Sequence, residues 1–212
     1  MSLFVVTGTD TGVGKTYVTT RLVSELRRRG SDAVALKPVE TGWNGVTSDA
    51  AQLATASGRS IESTVWAHFA LAAAPAVAAA AESAEINTIE LAAWIRRSAA
   101  ERSVCLVEGA GGWMVPLHND QLFCDLVERL SPSGVVLVSA SRLGTINHTL
   151  LTAEAIGRTT RLLAIALSVR PSDPADEAAT HLAEIRKRVT VPVLEIPRDL
   201  ARLADLFHVE QR

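Results

Sequence analysis

Leu3-Phe4-Val5-Val6-Thr7-Gly8-Thr9-Asp10-Thr11-Gly12-Val13-Gly14-Lys15-Thr16 runs from apolar residues into a glycine-bearing loop that closes on a Lys-Thr pair. Residues 16–29 follow with Val18, Leu22 and Leu26 at helical spacing, then Arg27, Arg28 and Arg29 ahead of Gly30. Basic residues suit the negative end of a helix dipole, and glycine suits its stop. Strand, loop, lysine, hydroxyl and helix in this order have the form of a P-loop. Gly12 and Gly14 free the backbone N–H groups to turn inward, and the helix adds the positive end of its dipole. Lys15 can reach terminal phosphates, and the Thr16 hydroxyl can ligate Mg²⁺. Val13 and Tyr17 belong to the same nucleotide-binding segment. Five residues, rather than the usual four, separate Gly8 from Gly14.

Beyond the loop, short apolar runs alternate with longer amphipathic segments. The runs cover residues 3–7, 33–37, 103–107, 135–139, 162–167 and 193–196, nearly continuous as expected of parallel strands covered on both faces. The helical patterns cover residues 16–29, 50–57, 88–101, 122–130, 147–157 and 177–189. This alternation predicts an α/β fold of the P-loop NTPase type, a three-layer sandwich with a mostly parallel central sheet and helices on both faces. No repeat, low-complexity linker or composition shift marks a boundary, so one domain over residues 1–212 is expected.

Three further segments lie where ligands bind in such folds, at strand ends. Lys37-Pro38-Val39-Glu40-Thr41-Gly42 closes the second run, and Asp49 opens a helix soon after. Lys37 would project beside the phosphates. Asp49 either completes a metal site with Thr16 or caps its helix, a task Ser48 could share. Val104-Cys105-Leu106-Val107-Glu108-Gly109-Ala110-Gly111-Gly112 is an apolar strand ending in an acid and a glycine-rich turn. Glu108 there has the form of a metal carboxylate, the alternative being an acid merely exposed at a strand end, and the glycines allow close approach of backbone to phosphate or substrate. Leu143-Gly144-Thr145-Ile146-Asn147-His148-Thr149 offers helix N-terminal N–H groups with Thr145 or Asn147 as cap; it holds a carboxylate or simply caps.

Composition narrows the classes. The 212 residues hold 21 basic and 23 acidic side chains, a formal net charge of −2. That balance supplies no basic field for nucleic acid. Cys105 and Cys124 are too few for a disulfide framework or a four-cysteine zinc site, and both read as buried and inert. The first residues lack a basic region ahead of an apolar one, so no signal peptide is expected. Nine of the twelve residues 70–81 are alanine, interrupted by Pro75. The stretch is short of the ~20 residues a membrane span needs and reads as a loop ending at Pro75 followed by a packed helix. A soluble cytoplasmic protein that does not engage a membrane is expected.

Taken together, GTDTGVGKT, KPVETG, VEGAGGWMVPL and LGTINHTLLT resemble dethiobiotin synthetases, in that family's order and across most of the chain. The resemblance implies Mg-ATP-dependent ring closure of 7,8-diaminononanoate with CO₂ or bicarbonate to dethiobiotin, a step of biotin synthesis. One amine becomes a carbamate, the carbamate attacks the γ-phosphate to form a mixed carbamic–phosphoric anhydride, and the second amine closes the cyclic urea. It implies that Lys15, Lys37 and Thr11 are catalytic, and that Thr41 and Pro75 lie on the substrate side. It implies Mg²⁺ on Thr16, Asp49 and Glu108, with nucleotide contacts along Gly12–Tyr17 and from Gly109, Ala110 and Gly111. Gly144, Thr145 and Asn147 would bind the substrate's tail carboxylate from the other subunit of a homodimer.

One departure concerns the base. The family's Asn-Asp pair, whose amide reads the adenine edge, is matched by Leu167 and Ser168, and its proline-aromatic-leucine segment by Pro197-Arg198-Asp199. Leucine cannot make the amide's two hydrogen bonds, so relaxed selectivity among nucleoside triphosphates is expected. The rival reading is a P-loop switch ATPase of the partitioning or cell-division type. It would carry a second lysine where Asp10 stands, and in a membrane-targeting version a basic amphipathic tail; residues 200–212, with Arg202, Glu210 and Arg212, have no strong basic face. A cobyrinate-type amidoligase would need room for a glutaminase domain, and a small-molecule kinase an arginine-rich lid.

Overall fold

The computed structural model describes residues 2–100 and 102–207. Its strands are β1 (Ser2–Gly8), β2 (Ala33–Thr41), β3 (Val65–Phe69), β4 (Val104–Glu108), β5 (Pro116–His118), β6 (Gln121–Leu122), β7 (Gly134–Ala140), β8 (Leu162–Ser168) and β9 (Val193–Ile196). The α-helices are α1 (Lys15–Arg28), α2 (Asp49–Ser57), α3 (Pro75–Ala81), α4 (Thr88–Ala99), α5 (Phe123–Leu130), α6 (Thr145–Gly157), α7 (Ala175–Arg186) and α8 (Leu200–Asp205). Seven strands pair in parallel in the order β3-β2-β4-β1-β7-β8-β9, and β5 and β6 form a short antiparallel hairpin. β1 sits in the middle. The chain fills one side of it through β2, β3 and β4, then the other through β7, β8 and β9. Its carboxyl end is therefore a topological switch point, where α/β sheets bind ligands.

The two-residue strand period divides the core into two layers. Leu3 and Val5, Val34 and Leu36, Cys105 and Val107, Val135 and Leu137, and Ile165 and Leu167 face one side, packed with α4, α5, α6 and α7. Phe4 and Val6, Ala33 and Ala35, Val104 and Leu106, Val136 and Val138, and Ala164 and Ala166 face the other, packed with α1, α2 and α8. Val18, Leu22, Val23 and Leu26 bury the inner face of α1. At about 1.5–3 kcal/mol per buried side chain, they outweigh the ~1 kcal/mol that a side-chain cap contributes. The helix can therefore begin at Gly14, which supplies no cap, and leave its first N–H groups to a ligand.

Six of the seven sheet strands coincide with the apolar runs. The seventh, β3, has the burial pattern of an edge strand, with His68 exposed and Trp66 only half-buried, so its sequence carries no continuous apolar signal. Helix α3 begins at Pro75 as the alanine-rich stretch predicts, and no helix among the described residues is long and apolar enough to cross a membrane. Helix α6 starts at Thr145, earlier than the expected Asn147, because Gly144 is left-handed at φ +90° and makes the turn. Neither Thr145 nor Asn147 caps it, a correction to the sequence reading. Cys105 is buried and its thiol is pushed up to about 12 by burial, whereas Cys124 is only half-buried, also against expectation. In the C-terminal segment Arg202 lies in α8, while Glu210 and Arg212 lie outside the described residues.

Candidate active site

The same strand alternation that builds the core builds the site. On β2, Ala33 and Ala35 face α1, and the next residue in that series is Lys37. On β4, Val104 and Leu106 face α1, and the next is Glu108. The two strands pair side by side, with Leu36 opposite Val107, so a lysine and a glutamate meet beneath the start of α1. Lys37 Nζ donates to Glu108 Oε1 at 2.7 Å, to Asp49 Oδ2 at 2.9 Å and to the Gly109 carbonyl at 3.3 Å. The Thr16 hydroxyl donates to the same Glu108 Oε1 at 2.8 Å. Lys37 and Glu108 are buried, and Asp49 is half-buried.

Asp49 is held by its backbone. Ser48 is the N-cap of α2 and accepts from the Ala51 N–H. The Glu40 carboxylate accepts from the N–H groups of Asp49 at 2.7 Å and Ala50 at 2.8 Å. An acid from the end of β2 thus completes the cap of the next helix. Glu40 lies inside the quoted KPVETG segment, and its one sequence signal for this role is an acid ahead of a helix start.

Charge compensation decides the ionisation of the cluster. Burial alone would lower the Lys37 pKa, but Glu108 and Asp49 more than reverse this and hold it above the ordinary lysine value. Burial would raise the Asp49 pKa, and Lys37 outweighs it, keeping the carboxyl below its ordinary value. Lys15 is lowered to about 8, first by burial and then by the charge of Lys37. Its Nζ donates to the Asp10 carbonyl at 2.9 Å. Burial raises the Glu40 pKa despite its two backbone donors.

A cleft of about 640 Å³ opens over this cluster. Thr11, Gly12, Gly14, Lys15, Thr16 and Tyr17 line it from the P-loop, Lys37, Glu40, Thr41 and Asp49 from β2 and α2, Ala110, Gly111 and Gly112 from the turn after β4, and Pro75 from the start of α3. Val13 faces the core and offers only backbone. A Cβ on Gly14 would collide with the Ser168 hydroxyl, and its φ of +98° favours glycine besides. Gly109 is packed under Phe123, where a Cβ would fall 2.7 Å from the ring, so its role is to let Glu108 and the helix α5 approach.

The donor set fits Mg²⁺. Thr16, Asp49 and Glu108 present only oxygen, the preference of a hard cation. Glu108 Oε2 is buried without a hydrogen-bond partner, acceptor capacity that the protein leaves unused. Among the described residues no cluster of three His, Cys, Asp or Glu could hold a metal by itself. Two carboxylates and a hydroxyl suit a cation that takes its remaining ligands from water and substrate phosphates.

Comparison with known proteins shows the family. The family described as an AAA domain matches residues 2–201. The ATP-dependent dethiobiotin synthetase BioD of Anaeromyxobacter dehalogenans strain 2CP-C is 40% identical over 208 residues, covering 94% of this chain and 92% of its own. The chain belongs to the dethiobiotin synthetase family. BioD of Aquifex aeolicus is 40% identical over 147 residues, 69% of this chain and 66% of its own. Among solved structures, the signal recognition particle receptor FtsY of Elizabethkingia anophelis shares the fold at a TM-score of 0.56 and 18% identity, covering 97% of this chain and 65% of the receptor.

Other residues that the dethiobiotin synthetase resemblance singles out lie outside the cleft. Gly144 and Asn147 are exposed at the start of α6, and Thr145 is buried with its hydroxyl unpartnered. Pro197, Arg198 and Asp199 form the turn after β9. There Asp199 accepts from the Glu195 N–H at 3.0 Å and Arg198 pairs with Glu195 at 2.9 Å. Leu167 points into the core beneath the sheet, while Ser168 abuts the P-loop. Two arginines that sequence reasoning did not single out also reach the loop. Arg170 donates to the Gly12 carbonyl at 3.0 Å, and Arg142 pairs with Asp10 at 3.0 Å. Both come from turns distant in sequence, so no local pattern marks them.

Proposed function

We propose that this chain, acting as one domain, carries out the ATP-dependent synthesis of dethiobiotin from 7,8-diaminononanoate and CO₂ or bicarbonate, in the cytoplasm. The observation that carries the reading is the Lys37 ammonium set between Glu108 and Asp49 beneath a P-loop, on the floor of a cleft large enough for a nucleotide's phosphates and a second ligand. The carbamate, the transferring phosphoryl group and the mixed anhydride are all anionic, so positioning and charge stabilisation carry the rate. Lys15 and Lys37 hold those charges, and Thr11 and Thr41 donate hydrogen bonds from the cleft wall. The α1 N-terminus turns its N–H groups to the phosphates. Pro75 starts the helix that bounds the substrate side. Thr16, Asp49 and Glu108 hold Mg²⁺, which supplies charge neutralisation of the phosphate oxygens.

The tail carboxylate is bound at Gly144–Asn147 of a second subunit. Leu143 is 97% exposed and Leu151 60% exposed beside that segment, apolar surface that suits a homodimer contact. On the base side, Leu167 is buried in the core and offers no polar group, and in the Pro197–Asp199 turn Arg198 is paired with Glu195. Relaxed base selectivity follows. Incubation with diaminononanoate, bicarbonate, Mg²⁺ and ATP, with mass detection of the cyclic urea, tests the activity; failure to form it refutes the reading. Comparing kcat/KM for ATP, CTP and GTP tests the base side, and a thousandfold preference for ATP would sink that part alone. The switch-ATPase alternative finds Asp10, tied to Arg142, where it needs a lysine.

A further inference from the structure

A lysine ammonium has three N–H donors, and in this structure all three of Lys37's are committed within the protein. They go to Glu108 Oε1, Asp49 Oδ2 and the Gly109 carbonyl. Its side chain is 4% exposed. A lysine so engaged has no N–H left for an anionic substrate, although its position on the floor of the cleft suits that task. Something must take its place on the carboxylates before it can act.

Charge and mobility identify what that is. Glu108 and Asp49 carry two negative charges against the single charge of Lys37, and a divalent cation would match the pair. Glu108 is fixed at the end of a central strand and is fully buried. Asp49 is fixed through its backbone N–H, which the Glu40 carboxylate accepts at 2.7 Å. The backbone that carries each carboxylate is thus held in place, whereas Lys37 ends a flexible four-carbon stem. We propose that Lys37 serves as the built-in counter-cation of the metal site, and that divalent cation binding displaces its ammonium from Glu108 and Asp49 and so frees it for the anionic ligand. This rests on the assignment of Thr16, Asp49 and Glu108 as the metal ligands. Lys37 is then delivered only when the metal is loaded, which ties activation of the site to arrival of the cation.

Two measurements test it on the full chain. Mn²⁺ binding without nucleotide, read by electron paramagnetic resonance, is compared among the wild type, Lys37→Met and Glu108→Gln. Removing the competing ammonium should tighten Mn²⁺ at least tenfold in Lys37→Met; equal or weaker binding overturns the proposal. An unchanged Mn²⁺ affinity in Glu108→Gln overturns the metal-ligand assignment itself, a distinct result. The second measurement needs no change at Lys37. The chain has three lysines, Lys15, Lys37 and Lys187, so ¹³Cε-lysine labelling produces three signals, assignable through Lys15→Arg and Lys187→Arg. With ADP saturating, addition of Mg²⁺ should move the Lys37 signal and leave Lys187 in place. A Lys37 signal that stays put through the Mg²⁺ titration overturns the proposal even if Lys37→Met does not fold.

Discussion

The cleft floor and the ends of β8 and β9, which lie outside the cleft, are built on different principles. On the phosphate side, Lys37, Glu108, Asp49 and Thr16 are joined by hydrogen bonds of 2.7–2.9 Å, largely out of water, with one ammonium shared between two carboxylates. At the proposed base side, Leu167 turns into the core, Arg198 pairs with Glu195 at 2.9 Å, and Asp199 accepts from the Glu195 N–H at 3.0 Å. A buried cluster of paired charges tolerates few residue types because a lone buried charge is costly. An exposed turn tolerates many. The chain therefore keeps a demanding phosphate side while the proposed base side departs from the pattern that the resemblance implies.

The comparison can be broken from its strong side first. Lys37→Ala should lower turnover by about 100- to 1,000-fold while nucleotide affinity changes little, because the lost charge serves the transition state. Steady-state kinetics with parallel nucleotide titration reads this, and near-normal turnover would refute the assigned role. Leu167→Asn probes the weak side. Placing an amide there does not restore a base reader, since the side chain points beneath the sheet. It should cost about 2–4 kcal/mol in urea unfolding and leave the ATP-to-CTP ratio unchanged; a gain in ATP preference would show the strand end to be more adaptable than the packing implies.

Gly14 joins the two sides, since Ser168 at the end of β8 lies against it. Gly14→Ala combines a positive φ with a collision and should cost about 2 kcal/mol. Paired Ser168→Gly should recover part of that loss, and absence of any recovery would place the whole penalty in the backbone. The smallest effect concerns protons. Lys15, lowered to about 8 by burial and by Lys37, loses its proton more readily in the fold than in the unfolded chain. The unfolded chain binds more protons between about 8 and the ordinary value of 10.5, so Lys15 makes stability rise with pH across that window. An anion beside Lys15 pulls its pKa back up. Nucleotide binding at pH 8 should thus take up about half a proton, read by calorimetry in two buffers of different ionisation heat. Equal heats in both would contradict the shift.

Much of the site could be read from local pattern. The P-loop announces itself because strand, glycines, lysine and helix are contiguous, and Lys37 and Glu108 because each ends an apolar run. What escaped depended on distance along the chain. Arg142 and Arg170 reach the P-loop from turns more than a hundred residues away. Strand β3 escaped because an edge strand need not be apolar throughout. At the start of α6 local pattern misleads, since Thr145 and Asn147 have capping side chains, yet Gly144 makes the turn through its backbone.

The sequence alone determined the α/β alternation, the phosphate loop and the residues able to carry charge there, because strand period, helix period and glycine placement are local properties. Only the tertiary structure decided that Lys37 spends every donor on Glu108, Asp49 and Gly109, that Glu40 pins Asp49, and that Leu167 faces the core. Those facts depend on which strands lie side by side and which face each residue takes, and pairing of β2 with β4 joins segments some seventy residues apart. Proximity of that kind is set by the sheet's order, which no short stretch of sequence contains.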